Sequence, residues 1–303
     1  MTSKKDFGGR WTQTKLDVFI QYVRAYLIIL NKHKGKYGWE TIYFDGFAGY
    51  GSKEKTSREE EGLLTSLLET MDEHSLYKGS ASRILEMEYP YLFDWYYFID
   101  TNPEHLVALE EIRKQIKHIP QERIVIRQAD ANQQIKELAK LLKKDSKYAA
   151  LAFLDPFGMQ VEWESIAAFK NNGRKPKIDL WILIPSGVAI NRLLDHKQKF
   201  RSKYKDTLER FFGLPIDEIT REFYKVQEQT TLFGETEESA QKISNAVEHI
   251  ARLYRRQLQT VFEYVTEPYV LKNSRNNPIF HLIFASNNRT ALKIAGQIIQ
   301  SHG

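Results

Sequence analysis

Five short apolar segments, each followed by residues at helical spacing, constrain this chain more than any other feature. They cover residues 41–44, 95–99, 124–126, 149–154 and 178–184. Between them, Leu106, Leu109, Ile112 and Ile116, then Ile135, Leu138 and Leu142, recur as one helix face does. Strands alternating with helices predict a parallel sheet covered on both sides. The last segment, 178–184, is almost unbroken in its apolar character, as expected of a strand buried on both faces. Leu16, Phe19, Ile20, Val23, Tyr26, Leu27 and Leu30 place a further helix ahead of the first strand.

After residue 187 the alternation stops. Residues 187–260 read as helices only, with one amphipathic helix through Ile243, Val247, Ile250 and Tyr254. Two more strands, roughly 262–271 and 280–285, flank the turn-rich residues 273–278 and predict a hairpin. A helix over 290–299 follows. The expected fold is thus α/β: a Rossmann-like, mostly parallel seven-stranded sheet closed by a C-terminal antiparallel hairpin. The core is expected over 1–186, a helical insertion over 187–260, and the closing hairpin with its helix over 261–303.

Composition removes several classes of chemistry. The 303 residues contain no cysteine, which excludes thiol nucleophiles, Cys-bound zinc and iron–sulfur clusters. The eight histidines form no H-x-x-x-H pair, so no metal is expected. The first residues lack a signal-peptide core, and the apolar stretch near Leu16 carries Asp17 and Arg24. A cytoplasmic protein with no membrane partner is expected. The net charge of +5 is compatible with a nucleic-acid partner. Oligomeric state is open.

The acids are placed with regularity. Asp45, Asp100, Asp130 and Asp155 stand at or just beyond the ends of the first four strands. Taken singly, each also reads as a turn residue or a helix cap. Taken in series they point to a polar ligand across the carboxyl edge of the sheet, where open α/β sheets bind ligands. Gly46, Gly49 and Gly51 follow Asp45 and let backbone approach that ligand. Asp100 is placed to accept both hydroxyls of a ribose, and Asp130 an amine of adenine. A carboxylate beside the glycines disfavours a phosphate there. The loop also lacks the Lys-Ser/Thr of a phosphate-binding loop. Asn102 and Asn132 are expected to cap the helices that follow. A nucleoside with a cationic or zwitterionic tail suits this edge.

The motifs FDGFAGYG, FID, ADAN and LDPFG, in that order, resemble those of class I S-adenosylmethionine-dependent methyltransferases. The resemblance implies S-adenosylmethionine as cofactor, held by Asp45, Gly46, Phe47, Ala48, Gly49, Gly51, Asp100, Asp130 and Ala131. The segments YFDGFAGYG, LAFLDPFGMQVEWESI and IDLWILIPSGVAINRLL are similar to the three-Cys-motif partner family, TcmP. That family implies a neighbouring three-Cys protein of radical-SAM type as a partner, and a phage-like or mobile-element setting. It supplies no substrate.

Asp155, Pro156 and Phe157 match the roles needed to methylate an exocyclic base amine. A carboxylate and a proline carbonyl hold the amine hydrogens, and an aromatic ring stacks on the extruded base. The DNA amino-methyltransferases carry a second proline that D-P-F-G lacks. D-P-[FY]-G is similar to the motif of tRNA guanine-N2 dimethyltransferases, which leaves DNA and RNA both open. Without cysteine, C5-cytosine chemistry through a thiol adduct is excluded. Lys197, Lys199, Arg201, Lys203 and Lys205 are the expected nucleic-acid contacts, against a bland reading as a solvated face. Tyr50 and Trp163 sit where a ligand could meet them, and residues 53–62 read as a solvated loop, with a lid over the ligand as the alternative. The alternative function is a catalytically degenerate methyltransferase-like module working with the three-Cys protein. A weaker third is a small-molecule methyltransferase with the insertion as its lid.

Overall fold

The computed structural model describes residues 10–49, 79–170, 173, 175–191, 204–230 and 236–302. Tyr50, Gly51, the run 53–62 and the basic residues Lys197, Lys199, Arg201 and Lys203 lie outside them; Lys205 lies within.

A long helix, α1 (Arg10–Tyr37), leads into β1 (Glu40–Asp45). The order continues with α2 (Ser80–Leu85), β2 (Trp95–Asp100), α3 (Pro103–Gln115), β3 (Ile124–Gln128) and α4 (Ala131–Lys144). Next come β4 (Tyr148–Leu154), the short α5 (Trp163–Ala167) and β5 (Ile178–Ile184). The five strands β3-β2-β1-β4-β5 lie side by side and all parallel. The chain reverses its direction of winding between β1 and β4, so the switch point lies at their carboxyl ends.

The far side of the sheet carries the expected antiparallel hairpin, with its first strand split in two. β8 (Tyr264–Val265) and β9 (Tyr269–Lys272) are two short strands rather than one, and both pair antiparallel with β10 (Pro278–Ser286). Pro268 lies between them and has no N–H to donate to the ladder. Thr266 bridges the break, donating its backbone N–H to the Phe284 carbonyl and accepting from the Phe284 N–H through Oγ1. β10 pairs antiparallel with β5, making the sheet eight-stranded. The closing helix α9 covers Arg289–Ser301.

The insertion is also not all helical. It holds α6 (Lys205–Phe212), α7 (Ile216–Phe223) and α8 (Ala246–Gln259). Between them β6 (Tyr224–Thr230) and β7 (Thr236–Lys242) form an antiparallel ribbon of their own. These strands are mostly polar, so apolar periodicity gave no strand signal. A ribbon satisfies its backbone across the ladder and needs no apolar face for that.

Two apolar layers clasp the sheet. One buries Phe19 and Tyr22 of α1, with Ile84, Leu109 and Ala295, against Tyr43, Phe98, Phe153 and Trp181. Phe19 stacks on Phe153 at 4.1 Å. The other layer buries Ile135 and Leu138 of α4 together with Phe211, Phe212, Phe223 and Tyr254 of the insertion. The insertion's helices are therefore part of the core. Trp163, expected near a ligand, packs here instead, edge-on to Tyr254 and over Gly213. Gly213 ends α6 with φ +65°, and a Cβ there would lie 1.9 Å from the Trp163 ring.

Candidate active site

Strand register fixes the relative heights of the acids. Asp45 pairs level with Phe98 of β2 and Phe153 of β4. Asp100 and Asp155 each follow two residues later, so both stand roughly 7 Å beyond Asp45 toward the carboxyl edge. One strand, β1, separates them.

The turn after β1 is tied to both neighbours. Gly46 donates its N–H to the Phe153 carbonyl of β4, and Ala48 to the Ile99 carbonyl of β2. A Cβ on Gly46 would lie 2.6 Å from Leu154 Cδ2, so this glycine serves close packing rather than a ligand. Gly49 differs. Its missing side chain faces His105 Nδ1 at 3.4 Å and Asp100 Oδ2 at 3.6 Å. Phe47 packs at the edge of the core, and Ala48 is wholly buried.

Asp45, expected at the ligand edge, turns inward instead. It is fully buried and accepts from Ser80 Oγ at 2.7 Å, Tyr43 Oη at 3.1 Å and the Phe47 N–H at 3.2 Å. Burial pushes its carboxyl up to about 6, against the lowering effect of those donors. This acid is a strut that fixes α2 and the glycine turn.

Asp100 lies at the edge and holds its place through two bonds. Oδ1 accepts from the Asn102 N–H at 2.8 Å, and Oδ2 from His105 Nδ1 at 2.9 Å. Asn102 caps α3 as expected, accepting from the Glu104 N–H. Asp130, not Asn132, caps α4, accepting from the Gln133 N–H through Oδ1. Ala131 is buried beneath it. Asn132 is instead a clamp on the loop after β4. It donates to the Gln160 carbonyl at 2.9 Å and accepts from the Glu162 N–H at 2.8 Å.

That loop opens with Asp155 and Pro156. Asp155 Oδ2 receives the ammonium of Lys15 at 2.5 Å. Lys15 comes from the first turns of α1 and has its side chain only 6% exposed, against 24% for Asp155. Its ammonium also lies 5.1 Å from the Trp11 ring. Phe157 is 56% exposed, unusual for a large apolar ring beside a polar edge. Its N–H donates to Gln160 Oε1.

Of the expected basic contacts only Lys205 lies among the described residues, and three other arginines of the insertion are already paired with acids. Lys205 is exposed at the start of α6. Arg210 is paired with Glu162, Arg255 with Glu267, and Arg256 with Glu222. Lys15, His105 and the clamp by Asn132 were not anticipated; α1 carried only its apolar face in the sequence reading. Among the described residues no helix is long and apolar enough to cross a membrane.

No protein-family model matches the chain, and no curated protein matches it. Among solved structures, protein LPL1258 of Legionella pneumophila str. Philadelphia 1, family DUF519, is similar over 90% of this chain and 97% of its own. The identity is 14% and the TM-score 0.34, too slight a likeness to carry an argument. The geometry of the carboxyl edge therefore stands by itself.

Proposed function

We propose that this chain is an S-adenosylmethionine-dependent methyltransferase of class I type, acting on an exocyclic base amine of DNA or RNA. One observation carries the reading: a side-chain-free Gly49 lies against Asp100, one strand from an edge carboxylate, Asp155, beside an exposed ring, Phe157. The side-chain-free backbone at Gly49 and the adjacent acid fit an S-adenosyl group. Bound there, that group would supply an electrophilic methyl on sulfur.

The chain's own residues divide the remaining work. Asp100 accepts the ribose hydroxyls. Asp130 offers adenine the oxygen that does not cap α4, over Ala131. Asp155 keeps Oδ1 for the target amine while Lys15 holds Oδ2. The Pro156 carbonyl takes the second amine hydrogen, and Phe157 stacks on the base. With the methyl supplied from sulfur to the amine nitrogen, Asp155 Oδ1 would take the surplus amine proton and pass it to water. Membership of the three-Cys-motif partner family, and a three-Cys protein as partner, belong to the same proposal.

The pairing of Asp155 with Lys15 gives the second reading its one support. In a module that binds cofactor without transferring methyl, that carboxylate is simply neutralised.

The test is calorimetric titration of S-adenosylmethionine and S-adenosylhomocysteine into the protein, beside Gly49→Arg and Asp100→Ala. Transfer of labelled methyl to DNA and RNA follows. Micromolar binding lost in both variants is expected, with transfer abolished in Asp155→Asn and its cofactor binding retained. Binding without transfer to either nucleic acid establishes the second reading. A folded protein that binds neither compound at millimolar concentration overturns both.

A further inference from the structure

We propose that His105 is a positioning residue for the cofactor, aiming the Asp100 carboxylate at the ribose diol. The inference rests on the cofactor reading above and deepens it.

The first turn of α3 carries the argument. His105 is the third residue of this helix, counted from Pro103. In a capping box, the side chain at that position reaches back to the N–H of the capping residue. Here the Asn102 N–H is already satisfied by Asp100 Oδ1 at 2.8 Å. His105 is thereby released from the capping duty, and its Nδ1–H donates to the other oxygen of the same acid at 2.9 Å. Two donors from one helix start thus fix both oxygens of Asp100, and with them the plane of the carboxylate.

That plane matters because each oxygen accepts more than one hydrogen bond. With one lone pair of each oxygen taken from the α3 side, the remaining pairs are held in set directions. The glycine turn lies over this pair: a Cβ at position 49 would lie 3.4 Å from His105 Nδ1 and 3.6 Å from Asp100 Oδ2. The side chains of His105 and Asp100 are only 11% and 13% exposed, so solvent competes little for the arrangement. A carboxylate fixed on both oxygens before ligand arrives loses less freedom on binding than one that must be ordered.

The test uses the purified full chain and S-adenosylhomocysteine, with its 2′,3′-dideoxy analogue as the second probe. Calorimetry on the wild type should show a preference for the diol-bearing compound. In His105→Ala that preference should fall about tenfold, the effect of loosening hydrogen bonds to a charged group. His105→Asn places an amide donor near the position of Nδ1 and should restore it. His105→Gln, whose donor reaches further, should not. A helical-packing role for His105 would lower affinity for both compounds equally and show no rescue specific to Asn. Undiminished diol preference in His105→Ala, or in His105→Gln should the alanine variant not fold, overturns the proposal while leaving the cofactor reading intact. A wild type that binds neither probe overturns that reading, and the role of His105 with it.

Discussion

The turn after β1 and the turn after β4 start alike, with an aspartate at the carboxyl end of a buried strand. They diverge from that residue on. Asp45 turns inward and collects three donors from its own neighbourhood, Tyr43, Phe47 and Ser80. Asp155 points to the edge and takes one ammonium from a helix residue 140 positions earlier. The first acid gives its turn rigidity. The second stays accessible and takes a counter-charge from a distant element. The same residue type at the same topological position is a strut in one case and a presented functional group in the other.

The comparison can be broken most easily at the lysine. Asp155→Ala leaves Lys15 buried without an anion and should cost about 3 kcal/mol. Adding Lys15→Met should recover most of that loss in urea unfolding. Strict additivity of the two changes would mean that the ion pair is no unit. At the other turn, Asp45→Ala strands three donors and should cost about 2 kcal/mol, with no recovery from any single second change. A loss under about 0.5 kcal/mol there would show that Asp45 is no strut.

The two turns should also differ in pH response. The folded-state pKa of Asp45, near 6, lies above the ordinary carboxylate value because burial disfavours the charge. The native state therefore binds this proton more tightly than the unfolded chain does. Its contribution is fully present below about pH 4 and is lost as pH rises through about 6. Wild type should lose stability relative to Asp45→Asn across that window, measured as paired unfolding curves. A difference that stays flat would show an Asp45 carboxylate better solvated than its burial implies. The smallest effect is expected at the clamp: Asn132→Ala should cost about 1 kcal/mol and loosen the loop that presents Phe157. Proteolysis at residues 157–162 is the sensitive readout, and unchanged cleavage would assign the loop's order to Lys15 alone.

What was legible in the chain was local. The parallel strands, the Asn102 cap and the strand-end position of each acid follow from periodicity and short-range spacing. Residues that act across the fold left no such mark. Lys15 sits on a helix whose apolar face was readable while its partner was not. His105 is one histidine among eight in sequence and is distinguished only by its distance to Asp100. Asn132 and Asp130 are both good caps, and the choice between them is made by the Gln160–Glu162 backbone that Asn132 bonds. Gly46 and Gly49 look equivalent as glycines, yet a Cβ on the first would collide with Leu154 while a Cβ on the second would only touch His105 and Asp100. The ribbon β6–β7 was hidden by polarity.

The placement of β10 has a consequence for synthesis. This strand lies between β5 and the short β8 and β9, yet follows all three in the chain. While the ribosome is still making residues before 278, β5 is an edge strand. Its seven residues, IDLWILI, are all buried in the finished fold. An unpaired apolar edge of that length is a template for pairing with other chains. The nascent protein must therefore keep that edge from neighbours until its last sheet strand arrives, and a chain truncated within the 273–278 turn should aggregate rather than fold.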